Sequence, residues 1–335
     1  MNMNEWFDNL KKTKQKKAMP ILSFPAVSLM SITVNELISD SSLQATAMKL
    51  VADKVDSLAS VSLMDLSVEA EAFGAKVQFS ENEVPTVVSA IVNSPEEADT
   101  LKVPKIGTAR TGIYIEAIKK AKKLITDRPV FAGVIGPYSL AGRLMDVSEA
   151  MINCYAEPEM VHTVLEKVTE FTINYINAYK KAGADGIVMA EPLAGMLSPD
   201  LEKEFSAPYV KKIADAVMDD EFCLIYHNCG NNTIQMIDSI LTTGCSAYHF
   251  GDSINMSEML NLVPQGTIVM GNVSPTEQFK NGTPESIKKN TQEIMNECCK
   301  YSGFVISSGC DIPPGCSWDN ITAFFEAVTE FNEKI

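Results

Sequence analysis

Seven short apolar runs, each breaking off at a polar residue, a glycine or a proline, recur along this chain with helical patterns between them. They are Leu58–Met64 before Asp65, Val130–Ile135 before Gly136-Pro137 and Gly186–Ala190 before Glu191-Pro192. Then come Phe222–Tyr226 before His227, Ala247–Phe250 before Gly251-Asp252, Thr267–Met270 before Gly271-Asn272, and Phe304–Ser307 before Gly309-Cys310. An eighth run, first in chain order, spans Ile21–Met30. Short apolar runs bounded by turn residues read as strands buried on both faces, and strands alternating with helices imply a parallel sheet. Eight such units predict an α/β fold, a (β/α)8 TIM-type barrel. An open doubly wound sheet is the alternative, but no Gly-x-Gly-x-x-Gly turn opens a βα unit here to favour it.

The helices carry their own signals. Val161, Val164, Leu165, Val168, Phe171, Tyr175, Ile176 and Tyr179 recur at three- and four-residue spacing after Pro158. That stripe predicts an amphipathic helix ending at Lys180-Lys181 and Gly183. Ser94-Pro95-Glu96-Glu97 and Ser274-Pro275-Thr276-Glu277 each pair a serine N-cap with proline at the first helical position. With no composition shift, repeat or low-complexity tract, residues 1–335 are expected to form one domain, its first ~85 residues an N-terminal extension plus early barrel.

With 46% hydrophobic residues the chain can bury a large core. A net charge of −15 excludes nucleic acid or an anionic membrane surface as main partner, since both require a basic patch. The eight cysteines show no regular spacing, and reduced thiols are expected. The lysine-rich start before Met19-Pro-Ile-Leu imitates a secretion signal, but two prolines interrupt the apolar stretch and no cleavage site follows. No apolar run reaches 18 residues, and a cytoplasmic protein is expected.

In a barrel, residues that follow the strands share the C-terminal rim, where catalytic groups gather. Asp65, Glu191, His227, Cys229, Asp252 and Cys310 all fall there. His227 and Cys229 by themselves fit an ordinary strand end as well as a site. With Cys310 they make an N, S, S ligand set that leaves the fourth tetrahedral position of Zn2+ open, as catalytic zinc requires. The break after them is expected from Gly230 and Asn231-Asn232. Cys316 could compete with Cys310, and His249 could stand behind the ligands. His162 reads as a surface residue, and the other five cysteines as small core residues. Glu191 is expected to be a labile fourth ligand or a proton acceptor for an incoming thiol, with a structural cap as its alternative. For Asp65, cap and catalytic residue are equally compatible.

Several motifs resemble the uroporphyrinogen decarboxylase superfamily, and within it the corrinoid-dependent methyltransferases. They are Met64-Asp65 followed by Glu71-Ala-Phe-Gly-Ala-Lys-Val, Gly136-Pro137-Tyr138-Ser139-Leu140, Glu191-Pro192, Gly271-Asn272-Val-Ser-Pro275, and Ser308-Gly309-Cys310-Asp-Ile-Pro-Pro before Trp318-Asp-Asn320-Ile. The methyltransferase branch carries His-x-Cys and a distant Cys as zinc ligands, which fall on His227, Cys229 and Cys310. The decarboxylase branch has histidine where Cys310 stands and an N-terminal arginine motif that grips substrate carboxylates. Here Ile21–Met30 contains no arginine, and only Arg110, Arg128 and Arg143 occur in the chain. The resemblance implies Zn2+, a methyl-corrinoid (cobamide) donor carried by a small corrinoid-binding protein or free, and a thiol acceptor such as coenzyme M. Alternatives are transfer from a methylated substrate to a corrinoid or a non-thiol acceptor, porphyrinogen decarboxylation, and a non-catalytic zinc- or corrinoid-binding barrel.

Overall fold

A parallel arrangement buries both faces of every strand, and the computed structural model, which describes residues 1–334, has that form. Seven strands pair in chain order: β1 (Ser60–Val61), β2 (Val130–Ile135), β3 (Gly186–Ala190), β4 (Cys223–Asn228), β5 (Ala247–Phe250), β6 (Val269–Val273) and β7 (Phe304–Ser308). Every residue of β2 through β7 except Asn272 is less than 5% or so exposed or fully buried, and the strands alternate with helices as expected. In register, Ala190 lies opposite His227, His227 opposite His249, and Asn272 opposite Ser307.

The eighth stave is extended backbone that bonds to both edges of the sheet. Met19 N–H donates to the Ile306 carbonyl at 3.0 Å, and Leu58 N–H to the Ala18 carbonyl at 2.9 Å. Residues 18–21 therefore close the ring, and the fold is a (β/α)8 barrel. The expected run Ile21–Met30 is right in chain order but wrong in extent, because Ala26–Met30 is helical. Pro25 precedes that helix at φ −58°, the angle its ring imposes and a helix start accepts. Hydrophobicity alone could not register the proline as a boundary.

Two apolar clusters hold the fold. One packs the outer faces of the strands against the helices, including all eight stripe residues of the helix Pro158–Ala182. That helix ends where Gly183 takes φ +100°, the left-handed cap predicted from its sequence. The other fills the barrel: Val61, Phe131, Val188, Ile225, Ala247, Met270 and Val305 meet Met19 and Ile21 there. The N-terminal helix Met3–Lys12 adds Met3 and Phe7 to this interior, with Trp6 edge-on to Phe131 at 5.9 Å. This extension closes the end of the barrel opposite the strands' C-termini. Full burial of each large apolar side chain contributes ~1.5–3 kcal/mol. Among the described residues no helix is long and apolar enough to cross a membrane.

Candidate metal centre at the barrel mouth

Side chains alternate along a strand, so the inward parity seen at Ile225, Ala247 and Val305 continues to His227, His249 and Ser307 one layer higher. All three are buried. Beyond that layer the loops after β4 and β7 deliver Cys229 and Cys310, each partly exposed.

The turn after β4 is built by Asn228. Its side-chain oxygen accepts from Gly230 N–H at 2.9 Å and from the Thr233 hydroxyl at 3.1 Å, while its amide donates to Tyr226 Oη at 2.9 Å. Asn228 thus supplies the break expected from Gly230 and Asn231-Asn232. Gly230 matters for another reason: a Cβ there would lie 2.4 Å from the Gly195 Cα, so two loops meet backbone to backbone. Gly251 plays the same part beneath Cys229, whose Cα a Cβ at 251 would approach to 2.6 Å.

One ligand atom each from His227, Cys229 and Cys310 lie within 4.8 Å of one another, and His227 Nε2 is 3.4 Å from Cys310 Sγ. Tetrahedral zinc with ordinary bond lengths separates such N and S ligands by about 3.6 Å. The donor set therefore fits a zinc ion, and the His227–Cys310 separation lies close to the tetrahedral value. The contact with Cys310 holds the Cys229 thiol well below its usual range. That same contact with Cys229, followed by burial, pushes Cys310 well up. A metal bound to both sulfurs would displace any proton they carry. Cys316 is buried and stands outside this cluster.

His227 Nδ1 lies 2.8 Å from His249 Nδ1, and His249 Nε2 lies 2.8 Å from Ser307 Oγ. His249 thus stands directly behind His227, the candidate ligand. Ser307 had no flag except as one of two serines in an otherwise apolar run. His162 is less exposed than a free surface residue: its ring stacks on Phe205 at 4.6 Å and Nδ1 meets Tyr209 Oη at 2.7 Å.

The two expected carboxylates lie elsewhere on the rim. Asp65 accepts from Ser67 N–H at 3.1 Å, the Ser67 hydroxyl at 2.6 Å and the Tyr114 hydroxyl at 2.8 Å, and it is ion-paired with Arg110. Arg110 also pairs with Glu71 at 2.7 Å. Burial opposes the Arg110 charge, but Asp65 and Glu71 outweigh it and raise its pKa. Glu191 is fully buried, and its two oxygens accept Tyr138 N–H at 3.0 Å and Ser139 N–H at 2.6 Å. It holds the start of the helix Pro137–Met145, where a carboxylate meets the positive end of the helix dipole. Burial pushes its pKa up to about 7 against those hydrogen bonds.

Three further groups escaped sequence reasoning. Asp311, beside Cys310 in the chain, is half-buried with its Oδ1 covered and unpartnered, and burial pushes its pKa well up. Glu202 is buried with both oxygens unpartnered. Arg143 has an unpartnered, buried Nε and, unlike the other two arginines, forms no ion pair among the described residues. A charge without its counterpart is invisible in sequence, because the partner would come from another element.

Known proteins place this architecture. A methyltransferase from Methanosarcina mazei superposes with a TM-score of 0.87 over 96% of both chains at 23% identity, a likeness of fold. Methylcobamide:CoM methyltransferase MtbA of Methanosarcina acetivorans is 27% identical over 255 residues, 74% of this chain and 72% of the relative. Uroporphyrinogen decarboxylase of Coxiella burnetii is 28% identical over 289 residues, 82% and 78% of the two chains. Both branches of the resemblance are thus represented among its relatives, and both are enzymes. The sequence model of the uroporphyrinogen decarboxylase (URO-D) family matches residues 18–331, nearly the whole barrel, and the chain belongs to that family.

Proposed function

We propose that this chain is a zinc-dependent methyltransferase that moves a methyl group from a methyl-corrinoid, free or on a small corrinoid-binding protein, to a thiol such as coenzyme M. The observation that carries this reading is the His227–Cys229–Cys310 cluster, all ligand atoms within 4.8 Å. The likeness to methylcobamide:CoM methyltransferase MtbA supports it. A decarboxylase relative matches equally well by identity, but eight substrate carboxylates call for cationic forks. The segment Ile21–Met30 provides none.

His227 would bind through Nε2, and Cys229 and Cys310 through sulfur. Zinc held there supplies a cation that lowers the pKa of a thiol at the remaining position and keeps its sulfur nucleophilic at neutral pH. The thiol proton leaves to solvent or base. The substrate's sulfur then forms a bond to the methyl carbon as the carbon–cobalt bond breaks, its electron pair remaining on cobalt, which passes from Co(III) to Co(I). The barrel residues position the acceptor and exclude water, since His227, His249 and Ser307 form a buried floor beneath the two sulfurs. We assign Glu191 and Asp65 to holding the rim, because their oxygens are already engaged by backbone N–H groups or by Arg110.

The test is demethylation of methylcobalamin by zinc-loaded protein, read in the corrinoid's absorption spectrum, with 2-mercaptoethanesulfonate first and homocysteine next. Thiol-dependent demethylation that disappears in Cys310→Ser is the expected result. Failure with every thiol, using both free methylcobalamin and a methylated corrinoid protein, would refute the assignment. Release of coproporphyrinogen from uroporphyrinogen would move the chain to the decarboxylase branch.

A further inference from the structure

A line of hydrogen bonds runs from the candidate ligand His227 across the barrel interior to a backbone carbonyl on the far side of the closure. His227 Nδ1 and His249 Nδ1 are 2.8 Å apart, His249 Nε2 and Ser307 Oγ are 2.8 Å apart, and Ser307 Oγ is 2.7 Å from the Met19 carbonyl oxygen. His249 and Ser307 are 0% exposed and His227 1%.

The direction of each bond follows from its far end. A carbonyl oxygen only accepts, so the single hydroxyl proton of Ser307 points at Met19. Ser307 Oγ has no second proton to give, so the 2.8 Å contact with His249 is an N–H donated by His249 Nε2. No carboxylate is ion-paired with His249 among the described residues, and a fully buried imidazolium without a counter-charge is costly. A neutral His249 that donates through Nε2 has a bare Nδ1, which accepts. The remaining contact must then be donated by His227 Nδ1–H. Neutral His227 with its proton on Nδ1 has its lone pair on Nε2, the atom 3.4 Å from Cys310 Sγ.

We infer that His249 and Ser307 are positioning residues that fix the tautomer and ring orientation of His227 from the Met19 carbonyl, so that Nε2 faces the two cysteines before any metal arrives. Ligating histidines ordinarily use a carboxylate, carbonyl or water behind them. Here a second histidine and a serine stand in that place. The segment that closes the barrel, residues 18–21, thereby also terminates the relay. The consequence for metal affinity rests on the zinc reading above, whereas the tautomer itself does not.

Only three histidines occur, so the imidazole nitrogens can be followed individually in metal-free, 15N-labelled protein, with His162→Gln removing the one outside the site. Long-range 1H–15N spectra should show His227 protonated at Nδ1 and His249 at Nε2. Ser307→Ala should leave His227 as a mixture of tautomers and weaken zinc binding, measured against a competing chelator, by ~10–100-fold. Ser307→Thr keeps the hydroxyl and should restore most of both, and thermal melting of all variants reports on folding. His227 protonated at Nε2 in the wild-type protein would overturn the inference. So would a Ser307→Ala protein whose tautomer and zinc affinity both match the wild type. A wild-type protein that shows the expected tautomers but binds no zinc would remove the zinc reading and leave the relay standing.

Discussion

Two polar clusters sit on the same rim of this barrel and are finished in opposite ways. Around Asp65 every oxygen has a partner: Ser67, Tyr114 and the Arg110 guanidinium surround it, and Glu71 takes the other side of Arg110. Around Cys229 and Cys310 two sulfurs and one imidazole nitrogen converge on one another, with no cation among the described residues against them. A closed cluster contributes to the structure and has no capacity left to bind. Converging lone pairs cost stability until something cationic joins them, which is why we propose the second cluster as the binding site.

The comparison breaks most visibly at the ligands. Cys229→Ser should lose zinc affinity by more than the ~10–100-fold typical of losing a group behind a ligand, while the metal-free protein melts within a few degrees of the wild type. Competition with a chelator and thermal melting read the two effects. The opposite pattern is expected at the closed cluster. Asp65→Asn leaves Arg110 buried with half its counter-charge, and breaking such a pair costs about 3 kcal/mol. Denaturant unfolding should show that loss with zinc content unchanged. Metal loss in Asp65→Asn would mean that the two clusters are one site.

Glu191 sharpens the boundary between them. In Glu191→Gln one of the helix N–H groups from Tyr138 or Ser139 faces an amide NH2 in place of an oxygen, at a cost of ~1–3 kcal/mol. Stability should fall by that amount and zinc binding should hold. A normal melting temperature with slowed methyl transfer would return Glu191 to the reaction itself.

The smallest effect is a pH dependence. Burial raises the pKa of Glu202 to about 7, above that of an unfolded glutamate near 4.3. The native state therefore keeps a proton that the unfolded chain has lost, and rising pH through 7 forces a charge into an unpartnered site. Glu202 thus favours folding less at pH 8.5 than at pH 6. Glu202→Gln has no proton to lose, so its melting temperature should fall less than that of the wild type over this interval. Equal slopes would show that Glu202 finds a partner or water in solution.

Most of the barrel was legible because strand ends are marked by chemistry that a parallel sheet demands: an apolar run, then a residue that turns. Val130–Ile135, Gly186–Ala190 and Ala247–Phe250 have the bounds read from sequence. The first stave was misjudged because Ile21–Met30 is mostly apolar from end to end, while the strand-to-helix change depends on Pro25 and on hydrogen bonds to Ile306 and Leu58. At the site, His227, Cys229 and Cys310 could be named because their residue types are rare and chemically specific. What could not be named was who satisfies whom. Asp65 and Glu191 look like catalytic carboxylates until Arg110 and two backbone N–H groups are found against them. Ser307 looks like nothing until Met19 and His249 are placed on either side.

The central claim is that the unfinished cluster holds zinc through one nitrogen and two sulfurs with a position left for a substrate thiol. X-ray absorption at the zinc edge measures this directly. Zinc-loaded protein should show two sulfurs at about 2.3 Å and two lighter atoms at about 2.0–2.1 Å, and added thiol should replace one lighter atom with a third sulfur. A shell of nitrogen and oxygen alone, or one that the thiol leaves unchanged, would contradict it.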